Sequence, residues 1–235
     1  MVWIGGADAC RLGWFRACRE TASRQVHFGV FECVADLLSS WPQPDMLAID
    51  IPIGLPDSGA RECDRMARRC LGWPRRNSVF PAPIRRAINA TSQSEASGIT
   101  LAIDGRMVSA QAFGLFPKIR EVDALLRTSA EARSRIREIH PEISFWSWTD
   151  GKAIVESKKT PAGKAKRQAL AEQWLGPEVM DSARGRHLKK HVADDDILDA
   201  IAALWTAARI ERSEAATLPG NPPTDSAGLR MEIVY

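Results

Sequence analysis

The five cysteines are odd in number and form no C-x-x-C pair. A cysteine-built zinc site is therefore not expected. With no export signal in view, the thiols are expected to be reduced, as in a cytoplasm. No apolar run nears the length of a membrane span, so no transmembrane helix is expected. The opening MVWIGGADAC has neither a basic leader region nor a long apolar stretch, and it reads as a first strand rather than a signal peptide. Neither sign of charge is in large excess: a net +3 over 235 residues says nothing by itself about nucleic acid. Internal repeats are missing too. What is present is an ordinary globular composition, 45% hydrophobic and 26% charged, in a chain long enough to bury a real core.

Residues 2–9, 14–20 and 24–32 read as three successive strands of an antiparallel meander, with a turn at 11–13. Residues 33–41 have helical period and stop at Pro42 and Pro44. A buried strand over 45–56 runs out into a Pro/Gly loop, and a helix over 60–72 ends at Gly72. An irregular basic stretch covers 73–90 and a polar segment continues to about 108. Residues 109–129 read as a helix interrupted at Pro117. A strand over 136–148 carrying Glu142, a basic helix over 159–176 and a last helix over 195–212 complete a single domain, 1–212, in which 57–135 is an insertion-like helical and loop segment. The tail 213–235 is expected to extend over the surface or be partly mobile.

Charge is unevenly placed along this order. Residues 151–191 hold ten lysines and arginines against four acids, and Asp194, Asp195, Asp196 and Asp199 follow at once. A solvated helix face is the plain explanation for the basic run. The aspartates resist so plain an account. Asp194 and Asp195 suit a helix cap, but Asp199 lies a full turn inside a helix whose other residues are apolar or small. Asp8 and Asp50 are lone carboxylates in apolar strands, Asp50 at the strand end where ligands collect in open α/β sheets. Glu142 has the same character in EIHPEISF. Several carboxylates converging in a buried site repel one another unless a hard divalent cation sits among them. Asp8, Asp50, Asp195, Asp196 and Asp199 are accordingly the expected ligands of two Mg²⁺ or Mn²⁺ ions, with Glu142 assisting.

The stretches GADACRLGW, IDIPIGLP, RECDRMARRCLG leading to SVFPAPIR, QAFGLFPKIREVD, EIHPEISF, SKKTPAG and DDDILDAIAALWTA stand in this order over about residues 2–210. Together they resemble the domain-of-unknown-function family numbered 429, whose members are described as predicted nucleases of RNase H fold. The resemblance implies an RNase-H-like α/β domain: a mixed sheet of an antiparallel meander plus further strands, flanked by helices, with a helical insertion. The last stretch also looks like the final helix of Holliday-junction resolvases, where two acids three apart bind metal, which points to Asp196 and Asp199. Asp8 and Asp50 would correspond to the acids on the first and fourth strands of the RNase-H-like superfamily.

The expected activity is thus a metal-dependent nuclease or phosphodiesterase. The basic segments 75–86 and 152–190 would hold the polyanion, with Arg76, Arg85, Lys118, Arg120, Lys158 and Lys159 as contacts. For residues of RECDRMAR and PKIREVD, including Arg61, Asp64 and Glu121, simple ion pairing is at least as good an account. Two other readings stand beside it. An actin-like-fold phosphotransferase would want a glycine-rich phosphate loop, and GADACRLG puts Cys10 and Arg11 where small hydroxyl residues belong. A non-catalytic nucleic-acid or protein-binding module would leave the acids as caps or relics. The oligomeric state is open.

Overall fold

The computed structural model describes residues 1–185 and 187–235. Arg186, one of the ten cations of the basic run, lies outside the described residues. The expected meander forms from β1 (Trp3–Cys10), β2 (Gly13–Glu20) and β3 (Val26–Phe31). On the far side of β1, β4 (Met46–Ile49) and β5 (Ile136–Glu138) add in parallel, giving a five-stranded mixed sheet in the order β3-β2-β1-β4-β5. The strand expected over 45–56 is thus four residues long, because Asp50 begins the loop that carries Pro52 and Gly54.

The helices are α1 (Val34–Ser39), α2 (Glu62–Leu71), α3 (Gln93–Asp104), α4 (Ala110–Gly114), α5 (Phe116–Thr128), α6 (Ala130–Arg135), α7 (Pro141–Trp148), α8 (Pro161–Leu175), α9 (Val179–Arg184) and α10 (Asp194–Glu211). Helix α3 falls in the stretch expected to be polar and irregular, and Ser92 caps it by accepting from the Glu95 amide. Pro117 does not break a helix: it stands in the first turn of α5, where its missing N–H costs nothing.

Side chains alternate across the sheet. Ala7, Leu47 and Ile49 share one cluster with Val34, Phe116, Ile119, Val122 and Leu126, so α1 and α5 cover that face. The segment 57–135 therefore shares a core with the sheet. Ile4, Ala17 and Ala48 pack on the opposite face against Ala203, Leu204 and Ala207 of α10. Helices α8 and α9 close over the far side of α10 through Ala171, Val179 and Ala183.

Two expectations fail. Glu142 is not on a strand: β5 ends at Glu138, and Pro141 starts α7 with Glu142 in its first turn. The His-Pro-Glu sequence is a helix start, since proline suits N1 and keeps the preceding residue extended. The tail does not lie loosely on the surface. Its β6 (Thr217–Leu218) pairs with β7 (Ile233–Val234), Leu218, Leu229 and Ile233 are buried, and Asp225 accepts from the Leu55 amide at 2.8 Å. Among the described residues no helix is long and apolar enough to cross a membrane.

Candidate metal centre and its cleft

Strand register alone brings two acids together. Gly6 pairs with Ala48 and Ala7 with Ile49, so one step further Asp8 and Asp50 stand level on neighbouring strands. The Asp50 amide donates to Ala7 O at 3.0 Å and extends the ladder to that point. By alternation both carboxylates emerge on the α10 face, about one strand spacing, ~4.8 Å, apart.

The third acid arrives through close helix packing. A Cβ built on Gly6 would lie 2.0 Å from Leu204 N and 2.3 Å from Ala200 O, so only glycine lets α10 approach β1 so nearly. The small residues Ala200 and Ala203 serve the same approach, and Asp199 is thereby delivered beside Asp8. Oxygens of Asp8, Asp50 and Asp199 all lie within 4.8 Å of one another. Asp8 and Asp199 are buried, and Asp50 opens toward solvent.

One cation already answers this charge. Lys158, from the loop before α8, donates to Asp199 Oδ2 at 2.5 Å. That loop is held against α8 by another tight glycine, since a Cβ on Gly163 would meet Ser157 O at 2.1 Å. Burial, then Asp50 and Asp199, push the Asp8 carboxyl well above its ordinary range. Burial and Asp199 raise Asp50 to about 7, against the opposing pull of Lys158. Burial raises Asp199 as well, with Lys158 opposing it, and the nearby Asp199 charge keeps Lys158 protonated. Three carboxylates against one ammonium leave two negative charges unanswered, so protons are shared within the cluster.

The acids sit in a cleft of about 450 Å³ lined also by Arg75, Asn77, Phe80, Leu115, His140 and Lys159. Buried polar groups ordinarily find partners. Here Asp199 Oδ1, His140 Nδ1 and Arg75 Nε are all buried and unpartnered within the described residues. Burial holds the His140 imidazole below its usual range, so it is neutral at pH 7. An oxygen-rich pocket with an orphaned carboxylate oxygen and two unanswered charges fits a hard divalent cation.

The other sequence candidates divide. Lys158 and Lys159 do line the cleft. Arg76 is exposed and lies with its guanidinium 5.4 Å from the Trp73 ring, while its neighbour Arg75 enters the cleft. Arg85 is bound to Asp123 and to Asp225, Lys118 to Glu121, and Arg120 donates to Ile88 O and Ala90 O. These three are structural ties rather than free cations.

Asp196 is not part of the cluster. Its Oδ2 accepts from the Ala193 amide at 2.8 Å, so it closes the first turn of α10. Burial holds its carboxyl up at about 6. Asp194 is tied to Lys164, Arg184 and Lys189, and their hydrogen bonds outweigh burial and hold it at about 2. Asp195 is half-exposed, 4.0 Å from Lys158.

Glu142 borders the cleft, but both its oxygens accept from Arg167 Nη2, at 2.8 and 2.7 Å, and Arg167 is wholly buried. A second buried ion group, Arg61 with Asp64 and Glu138, sits under the Pro/Gly loop, and Glu138 also accepts from the Ile53 amide. Glu138 was not singled out in the sequence, since its partner Arg61 lies 77 residues away. Arg75 was missed because nothing local distinguishes it from Arg76.

No curated protein and no solved structure matches the chain. A family model described as a protein of unknown function (DUF429) matches residues 6–224, and the chain belongs to that family.

Proposed function

We propose that the chain is a metal-dependent phosphodiesterase of RNase-H-like architecture that hydrolyses nucleic acid. One observation carries the reading: three carboxylates, on β1, at the loop just after β4 and on α10, converge within 4.8 Å, with one buried oxygen unpartnered. The meander followed by two parallel strands, with the last long helix against β1, supports the architecture.

Asp8, Asp50 and Asp199 would hold Mg²⁺ or Mn²⁺, which supplies positive charge and Lewis acidity at the scissile phosphate when bound. Asp195, unused in capping, is the acid available to a second ion. Lys158 pairs with Asp199 and lines the cleft, so its ammonium would be at hand for the phosphate oxygens. Arg75 and Lys159 line the same cleft and add to the hold on a polyanion. His140, neutral and with a free Nδ1, is placed to accept a proton at the cleft wall.

The test is cleavage of labelled RNA and DNA in millimolar Mn²⁺ by wild type, Asp50→Asn and Asp199→Asn, alongside calorimetric Mn²⁺ titration. Wild type should bind Mn²⁺ and cleave, and each variant should lose at least about 100-fold of both. Equal cleavage by all three proteins would mean a contaminating nuclease and would sink the reading.

A further inference from the structure

The floor of the cleft is acidic, but one wall is aromatic and basic, and of that wall the proposed chemistry uses Arg75 alone. It is the segment 72–83, GWPRRNSVFPAP. Phe80 is 42% exposed at the cleft itself, and Trp73 is 73% exposed two residues before Arg75.

The loop is nevertheless held firmly. Val79 is buried, Arg68 donates to Val79 O at 2.8 Å, and His140 Nε2 lies 3.3 Å from Ser78 O. Pro81 and Pro83 stiffen the backbone on the C-terminal side of Phe80. Phe80 is thus presented outward from an anchored backbone, and Arg76 lies against the Trp73 ring at 5.4 Å. Interleaved rings and cations, Trp73, Arg75, Arg76 and Phe80, are what stacks exposed bases and holds their phosphates.

Shape points the same way. Asp8 and Asp199 are 9% and 1% exposed, at the bottom of a cleft of about 450 Å³, a size that takes one small-molecule-sized group. A duplex keeps its bases paired and stacked, out of reach of a pocket of that size. An unpaired strand can place one nucleotide inside.

We infer that segment 72–83 is a base-stacking platform and that the substrate is single-stranded nucleic acid, with Phe80 stacking the base of the nucleotide in the cleft and Trp73 a base outside it. This rests on the nucleic-acid reading above and narrows its substrate.

The experiment measures binding of fluorescein-labelled, unstructured 12-nucleotide DNA and RNA strands, and of blunt duplexes of the same sequence, to the full chain in millimolar Ca²⁺. Either single strand should bind at least tenfold tighter than its duplex, and the DNA and RNA arms identify which sugar is preferred. Phe80→Ala and Trp73→Ala should each weaken single-strand binding by about 5- to 150-fold. Trp41→Ala removes a ring that is 71% exposed but packs on His27 and Trp3, and it should leave binding unchanged. Trp73 is 73% and Phe80 42% exposed, so melting curves of their variants should shift little.

Equal binding of duplex and single strand, or single-strand binding indifferent to both truncations, overturns the platform. Hydrolysis of bis(p-nitrophenyl) phosphate by wild type in Mn²⁺ separates the two claims. Hydrolysis lost in Asp50→Asn keeps the phosphodiesterase even if the platform fails. Tight single-strand binding without any hydrolysis keeps the platform and removes the phosphodiesterase.

Discussion

Gly6→Ala should damage the proposed metal site by displacing the helix that carries Asp199. The added methyl would lie 2.0 Å from Leu204 N, 2.3 Å from Ala200 O and 2.6 Å from Ala203 C, where ordinary contact begins at 3.4 Å. All three atoms are backbone, so no rotamer change relieves the clash. Helix α10 must retreat from β1 by about 1.4 Å, the shortfall of the nearest contact. Overpacking of this kind costs about 1–3 kcal/mol, which for a chain of this size lowers Tm by about 2–12 °C. Asp199 rides on the same turn as Ala203, so it withdraws from Asp8 and Asp50 by a similar distance. Mg²⁺ demands oxygens at about 2.0–2.1 Å in near-ideal geometry, so its affinity should fall by roughly 10- to 100-fold or more. Thermal melts in chelator and calorimetric titration with Mn²⁺ read the two effects. Gly98→Ala is the control: it lies within α3 with nothing near its Cβ, and it should stabilise by about 0.5–1 kcal/mol without touching metal affinity. A Gly6→Ala protein that melts with wild type and binds Mn²⁺ equally well would refute the account of how Asp199 reaches the cluster.

Two further perturbations test the charge balance. Asp50 ionises near 7 in the fold against an ordinary 3.8, so the wild type loses stability relative to a neutral side chain as pH rises through that window. In chelator, Asp50→Asn should therefore be more stable by about 2–4 kcal/mol at pH 8, by much less at pH 4, and Mn²⁺ should erase the gain by stabilising only the wild type; urea titrations at the two pH values decide, and a destabilised variant at pH 8 would contradict the shared-proton picture. Arg167→Met leaves the buried Glu142 carboxylate without its only partner among the described residues, so unfolding in urea at pH 7 should show a loss of about 3–5 kcal/mol, largely recovered by adding Glu142→Gln; a loss under about 1 kcal/mol would mean that Glu142 answers to the cleft instead.

The acids that converge were legible for one reason: each violates the pattern of its own element. Asp8 and Asp50 interrupt apolar strands, and Asp199 interrupts a helix buried on every side. Local pattern could not sort the triplet before Asp199. Taking Asp194 or Asp195 as the cap left Asp196 over, but the cap falls on Ala193, which moves Asp196 to the third helical position, where a carboxylate reaches back to the cap amide. One residue of register thus decided which acid was spare. The β-sheet was legible through its period, and β5 was overextended because His-Pro-Glu joins two apolar stretches that read as one.

Arg85, Lys118 and Arg120 are tied within the fold, and the sequence hid this for a different reason. A carboxylate in the wrong place is visible locally, whereas a cation's availability depends on partners far along the chain. Arg85 meets Asp225 from 140 residues away, and Arg120 spends itself on the carbonyls of Ile88 and Ala90. Lys158 is the instructive case, because it was expected at the substrate and stands in the cleft paired with Asp199, 41 residues on. The two positions are not rivals. Lys158 lines the cleft as well as pairing with Asp199, so under the proposed function one side chain would both answer the clustered carboxylates and meet the substrate's phosphate.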